Sequence, residues 1–485
     1  MFYDFIIVGG GISGLYLAYK IHLLYPYKKI VLIEKERTLG GRVYTYHDSK
    51  MTVEMGAGRF SLHHIHLILL IQELGLYGKI IKNGSNMGSY VDANGSGIIE
   101  NSRLYANGSG IIQRVIDAAK KEKREVLIKQ SFLKFASTIL DKTDIQYITD
   151  SFGYYSELVI MNAFDAIHLL DDFRPSNEFY SLNGGLSQII REMERRIGTG
   201  HIGRHGTRKN TNTTNKSQHV RIMRHTKVID IVPLFGEMGG SGFEIVIQGR
   251  NKKMGGMGGM GGMGGMGGMG GMGGMGTKNR RTYAGNETIR GKTCICALPK
   301  QVIANMGIFQ NNNNTKINVP RLLRGIECGS LCRIYSIFDK GSDGNVWFHN
   351  YSKFTTNNEL RMVIPIDINA GIIMTSYTDN KYADYWNDLY RSEGVRSVNR
   401  RLRELMKNSL GIDIPLPKHT QVFYWKCGVG YWGIGANSDM ISKQIQKPFE
   451  NMNLFICGEH YSNTHQQWME GALETAQQVL GRIEV

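Results

Sequence analysis

The segment Val8-Gly9-Gly10-Gly11-Ile12-Ser13-Gly14 constrains the fold of this chain more than any other. It follows the apolar run Phe5-Ile6-Ile7-Val8 and opens an amphipathic pattern, Ser13 to Leu24, with a second apolar run from Lys29 to Glu34. Strand, glycine turn, helix and strand in that order make the β-α-β unit of a parallel, doubly wound sheet, so an α/β fold is expected. The G-x-G-x-x-G spacing lets the backbone approach a pyrophosphate at a helix N-terminus. Glu34, twenty residues after Gly14, places an acid where ribose hydroxyls would lie. An acid rather than a base there favours an unphosphorylated ribose, as in FAD or NAD.

Beyond this unit the chain continues as mixed α/β. Helical periodicity recurs at 62–74, 111–122, 150–169, 186–197, 396–408 and 468–479, with short strand-like runs between. No run of about 18 apolar residues occurs, so no membrane-spanning helix is expected. The start, Met1-Phe2-Tyr3-Asp4, leads directly into the first strand without a basic or long apolar leader, and a cytoplasmic site of synthesis is expected.

The formal charge of +16 is concentrated. The stretch 201–227 carries seven Lys/Arg and no acid, and 250–292 carries eight against Glu287, leaving the rest near neutral. Both stretches read as insertions, Asn/Thr/Lys-rich near 204–218 and, near 250–282, built around eight methionines and fifteen glycines as Met-Gly-Gly repeats from Met254 to Gly276. The second insertion is expected to join two strands of one domain. Charge carried on such loops makes nucleic acid an unlikely partner. The six cysteines fit buried reduced thiols better than a disulfide framework, and their spacing suggests no metal site.

The stretch Glu34-Lys35-Glu36-Arg37-Thr38-Leu39-Gly40-Gly41-Arg42-Val43 resembles the E-x-x-x-R-x-G-G-R signature of the flavin-dependent amine oxidases, the group holding monoamine, polyamine and L-amino-acid oxidases. Thr38 stands where the first arginine belongs, and Arg37 comes one position early. Further blocks agree: Glu54 to Gly58, Asn183 to Gln188, Ala297-Leu298-Pro299, Gly458-Glu459-His460 and Trp468 to Ala472. The resemblance implies a Rossmann-type FAD-binding domain (1–75, 181–300 and 440–485) interleaved with a mixed α+β substrate-binding domain (76–180 and 301–439). It implies a pyrophosphate cradle at Gly9, Gly11, Ser13 and Gly14, ribose at Glu34, phosphates at Arg42, and isoalloxazine beside Gly56, Ala57, Gly58 and Arg59. Val228 would meet adenine, while Gly458, Glu459 and Met469 would face the ribityl chain and flavin pyrimidine.

On the substrate side the resemblance implies an aromatic pair, Tyr431 and Trp468, holding the amine. Where some relatives attach flavin through cysteine this chain has Gly430, with Cys427 displaced, so non-covalent FAD is expected. Arg333 occupies the register where the family usually has a lysine near flavin N5, and arginine cannot serve as a neutral base. The implied function is FAD-dependent oxidation of a small-molecule amine to an imine, with oxygen reduced to hydrogen peroxide. One alternative is an L-amino-acid oxidase using Arg59 for the carboxylate. Another is a catalytically weak flavin-binding protein whose basic loops engage a partner.

Overall fold

The computed structural model describes the chain except for residues 84–88, 93–97, 101, 106–109, 172–176, 199–218, 236–240, 249–285, 311–316 and 485. The core of both insertions therefore lies outside the described residues.

The first sheet is built on the glycine-turn unit. Strand Phe2–Val8 pairs in parallel with Ile30–Ile33 on one side and with Glu287–Cys296 on the other; Val220–Met223 extends the parallel set beyond Ile30–Ile33. Ile6, Ile7, Ile30, Val31 and Leu32 are fully buried. Both faces of these strands are covered, which is why they read as continuous apolar runs rather than alternating ones. Strand Leu454–Ile456 adds in parallel to the C-terminal end of Glu287–Cys296. The N-terminal end of Glu287–Cys296 pairs antiparallel with Ser241–Ile247, which pairs in turn with Val228–Phe235. The expected parallel sheet thus carries an antiparallel extension, and the repeat connects two neighbouring strands of it.

Part of the basic charge belongs to this sheet rather than to loops. Arg221 donates to the Tyr3 hydroxyl at 3.2 Å, Arg224 pairs with Glu194, and Arg290 pairs with Glu244 at 2.6 Å.

A second seven-stranded sheet runs in the order His419–Trp432, Ile326–Ile337, Ile372–Asp379, Met362–Asp367, Phe354–Thr356, Ser89–Val91, Ile98–Glu100. A helical layer covers it. The expected helix 150–169 is three pieces, Lys142–Ser151, Ser156–Val159 and Ala163–Asp171. Gly153, at φ +91°, ends the first piece, and a Cβ there would meet Met362 Cγ at 2.9 Å, so the break lets the layer close onto the sheet. The other expected helices form within a few residues of their limits, among them Ile12–Leu24, Ile65–Glu73, Ser187–Arg196 and Met469–Leu480.

Candidate functional site

The glycine turn sits at the C-terminal end of Phe2–Val8 and caps the helix Ile12–Leu24. Gly9 adopts φ +103°, and a Cβ on it would lie 2.3 Å from the Ala297 carbonyl oxygen. A Cβ on Gly14 would lie 2.0 Å from the Gly9 carbonyl oxygen, so this glycine lets the helix press against the turn. Gly11 differs. It is the N-cap, and a Cβ there would meet nothing within 4 Å. No side chain caps this helix and its first turn has no acid, which leaves free backbone N–H groups and the positive end of the helix dipole facing open space. Such a cradle fits a pyrophosphate.

Glu34 is buried. Its carboxylate accepts from the Gly10 N–H at 2.7 Å and the Glu36 N–H at 2.8 Å, which ties the second strand's end to the turn. Backbone bonds from Thr226 to Glu34 and from His225 to Glu36 hold the residues just before Val228–Phe235 at the same edge. Ser13 is buried in the first helical turn. Arg37 and Thr38 are both exposed.

A polar chain leads from this cradle toward the second sheet. Arg42 Nη1 donates to the Gly428 carbonyl at 2.8 Å and to Glu459 Oε2 at 2.7 Å, and lies 3.4 Å from His460 Nε2. Glu459 Oε1 accepts from the Gly430 and Gln467 backbone N–H groups at 2.9 and 2.6 Å. Burial alone would raise the Glu459 carboxyl, but Arg42, His460 and these N–H donors together hold it below its ordinary range. Burial pushes the His460 imidazole down to about 4, so it is neutral near pH 7. Gly458, at φ +137°, anchors this turn through its N–H to the Thr475 hydroxyl at 3.0 Å. Met469 is buried at the start of the last helix.

The turn Gly56-Ala57-Gly58-Arg59 connects the two ends of the site. Ala57 N–H donates to the Arg42 carbonyl at 2.9 Å, and a Cβ on Gly56 would lie 1.9 Å from that oxygen. On its far side a Cβ on Gly58 would lie 3.0 Å from Arg333 Nη1. Arg333 donates to the Glu54 carbonyl at 3.0 Å and places its guanidinium 4.6 Å from the Tyr377 ring centre. Burial would lower its pKa, but the phenols of Tyr377 and Tyr335 push it further up, so Arg333 is a fixed cation.

Arg59 lies over Phe179 at 4.3 Å and 6.0 Å from the Trp468 ring centre; Phe179 and Trp468 stack at 5.4 Å. Trp468 and Tyr431 share one apolar cluster, with Tyr431 only 1% exposed. Gly329 makes room for the Tyr431 ring, since a Cβ there would sit 2.4 Å from Cε2.

Two ionisable groups at this end carried no sequence signal. Glu157 is 2% exposed and its Oε2 has no hydrogen-bond partner. Burial and then the nearby Asp379 raise its carboxyl, and it lies close enough to Tyr431 to affect that phenol. Lys353 is lowered to about 7 by burial and then by Arg59. Glu157 was hidden because 150–169 reads as one amphipathic helix. Lys353 precedes a short strand that resembles any surface segment.

The cysteine expectation needs correction. Cys294, Cys296, Cys332 and Cys457 are buried free thiols, but Cys328 and Cys427 form a disulfide with Cα atoms 5.4 Å apart. Register pairs Cys328 with Gly430, and an irregularity follows between Gly329 and Leu331, opposite Trp425 to Val429, which brings Cys427 back across to Cys328. Irregular register of this kind leaves no trace in spacing. The two sulfurs and His460 also form a compact group of potential ligand atoms.

Residues 7–74 match the family model of an NAD(P)-binding Rossmann-like domain, and residues 275–482 match that of the flavin containing amine oxidoreductases. Uncharacterized protein R188 of Acanthamoeba polyphaga mimivirus is 31% identical over 104 residues, 21% of this chain and 19% of that protein, so the match spans about a fifth of that relative's length. Among solved structures, wild-type putrescine oxidase bound to putrescine is similar, with a TM-score of 0.66 at 14% identity and 99% of each chain covered. A protein from Exiguobacterium sp. 255-15, provisionally named protoporphyrinogen oxidase, gives a TM-score of 0.60 at 15% identity over 99% of this chain and 98% of that one. At such identities these two share the fold. No helix among the described residues is long and apolar enough to cross a membrane.

Proposed function

We propose that this chain, whose residues 275–482 match the flavin containing amine oxidoreductases, is an oxidoreductase acting on amines that binds FAD non-covalently and oxidises a small-molecule amine to an imine, with oxygen reduced to hydrogen peroxide. The observation that supports this best is the continuity of the site. The helix N-terminus at Gly11, the Arg42–Glu459–Gly430 chain and the Gly56 turn lead without interruption to Arg333, Tyr431 and Trp468.

The bound isoalloxazine supplies the electron sink for removing hydrogen from the Cα–N bond. Around it the residues orient and exclude water. Gly11 and Arg42 hold phosphates, Glu34 takes the ribose, and Glu459 keeps Arg42 and the Gly430 backbone in place. Arg333 cannot take a proton, so its part is to place positive charge where reduced oxygen species develop. Tyr431 and Trp468 wall the amine side, where an apolar face favours the neutral amine. Non-covalent binding is supported at Gly430, where a Cβ would lie 3.0 Å from His460 Cα and Cγ, and by the engagement of the Cys427 sulfur with Cys328.

One observation favours a second reading, an L-amino-acid oxidase. Arg59 and, below about pH 7, Lys353 bring positive charge to one end of the site, which suits a substrate carboxylate. A peroxide-coupled screen of monoamines, diamines and amino acids on yellow, purified protein tests both readings, with acid precipitation to release the flavin. Peroxide from amines and flavin in the supernatant are expected. Turnover of amino acids alone would select the second reading, and flavin retained in the pellet would refute non-covalent binding.

A further inference from the structure

We propose that Cys328 and Cys427 are a redox modification site: a dithiol that peroxide converts reversibly to the disulfide, and whose state sets how firmly the segment Cys427-Gly428 holds Arg42 against the cofactor. The inference rests on the reading above for the source of peroxide and for the role of Arg42.

The placement of the pair separates it from the other cysteines. Cys294, Cys296, Cys332 and Cys457 are buried, and burial pushes the Cys332 and Cys457 thiols far up, which leaves them inert. Cys328 and Cys427 are half-buried. Cys427 Sγ lies 3.6 Å from His460 Nε2. His460 Nδ1 accepts from the Lys300 N–H at 3.2 Å, which assigns the ring proton to Nε2, on the side of the sulfur. The Arg42 guanidinium is 3.4 Å from the same nitrogen. The His460 N–H is the donor that favours the thiolate, the form that attacks peroxide, whereas Arg42 stands beyond that ring and is paired with Glu459, whose carboxylate also lies 3.5 Å from His460 Nε2. The same guanidinium opposes a divalent cation among these ligands.

The Cys427 thiolate attacks one peroxide oxygen; the O–O bond breaks, and hydroxide leaves and takes a proton to become water. The resulting sulfenic acid is attacked by the Cys328 sulfur; the S–S bond forms, the S–O bond breaks, and a second water leaves. Two thiols lose an electron pair, which reduces one hydrogen peroxide to two waters. A small thiol such as glutathione reverses the process by exchange, becoming its own disulfide.

The consequence for the cofactor follows from chain order. Gly428, next to Cys427, accepts from Arg42 at 2.8 Å, and Gly430 donates to Glu459, the other partner of Arg42. A cross-link to Cys328 fixes this segment to the neighbouring strand. Reduction frees it.

The test uses the full-length holoprotein, first reduced with glutathione and then titrated with added hydrogen peroxide. Thiols are counted by alkylation after denaturation, and FAD release is followed by flavin fluorescence. The expected result is loss of two of the six thiols, mapped to a linked Cys328–Cys427 peptide, with FAD released on the order of tenfold faster from the reduced form. Cys328→Ser should release FAD at the reduced rate whether or not peroxide is added. Persistence of six thiols under peroxide, equal FAD release in both states, or one tightly held zinc per chain shielding the pair would overturn the proposal. Because peroxide is added rather than generated, the thiol count stands even if no amine is turned over.

Discussion

Gly11 and Gly14 lie three residues apart in one turn, yet alanine at each should fail for opposite reasons. At Gly11 the backbone has φ −67° and ψ 178°, which any residue adopts, and a Cβ meets nothing within 4 Å. Alanine is worse than glycine at an N-cap by roughly 0.5–1 kcal/mol and recovers a similar amount by restricting the unfolded chain, so apo stability should change by less than about 1 kcal/mol. The added methyl would nevertheless stand where the cofactor's phosphate approaches the backbone. Loss of a hydrogen bond to a charged oxygen is worth roughly 1.5–3 kcal/mol, a weakening of FAD binding by about 10- to 150-fold. At Gly14 the Cβ would sit 2.0 Å from the Gly9 carbonyl oxygen and 3.1 Å from the Ala297 Cβ. Neither neighbour can rotate away, so Gly14→Ala should destabilise even the apoprotein, by about 1–3 kcal/mol. Chemical denaturation of both apoproteins and titration with FAD by flavin fluorescence separate the two costs. Wild-type FAD affinity in Gly11→Ala would refute the assignment of this turn as the phosphate cradle.

Glu459→Gln leaves the Arg42 charge facing a neutral amide and should cost roughly 1–3 kcal/mol near pH 7 by denaturant unfolding. The Glu459 carboxyl is held below its ordinary 4.5, so its contribution is present above that pH and lost as pH falls through the folded value; the variant and wild type should converge in acid. Arg59→Ala should cost amino-acid turnover about 1.5–3 kcal/mol in kcat/KM while sparing FAD occupancy, if Arg59 binds a carboxylate. Equal slowing of every substrate together with lost flavin would place it beside the cofactor instead. Lys353, lowered to about 7 in the fold from 10.5, binds fewer protons folded than unfolded between those values, so apo stability should rise with pH across that window. Its charge is present below about 7, so affinity for a simple carboxylate inhibitor should fall as pH rises through 7, and Lys353→Met should flatten that dependence.

What was legible in the sequence was whatever a few consecutive residues decide. The turn from Gly9 to Gly14 requires glycine locally, because of a positive φ at Gly9 and close backbone contacts at Gly9 and Gly14, so its shape survives in the spacing alone. The helix Met469–Leu480 and the strands joined by the repeat are likewise fixed by short-range periodicity. Illegible features are those assembled from distant positions. Arg42 meets Glu459 across 417 positions, and each residue alone reads as an ordinary charge. Glu157 becomes a buried, half-partnered carboxyl only because Gly153 breaks a helix that periodicity would continue.

The cysteine pair shows the same division most sharply. Ninety-nine positions separate Cys328 from Cys427, and regular pairing of their strands puts Gly430, not Cys427, opposite Cys328. Only the irregular stretch brings the sulfurs together. That stretch also carries the Gly428 carbonyl that Arg42 requires, so one departure from regular pairing creates both the cross-link and the contact that holds Arg42. Two residues of the second strand are in excess there, since Gly329 pairs with Val429 and Leu331 with Trp425; deleting Lys426 and Gly428 restores regular pairing, keeps Cys427 but sets it opposite Ser330, and should therefore remove the disulfide and weaken FAD binding together. Loss of either one without the other, read by thiol count and FAD titration, would show that the two features are independent.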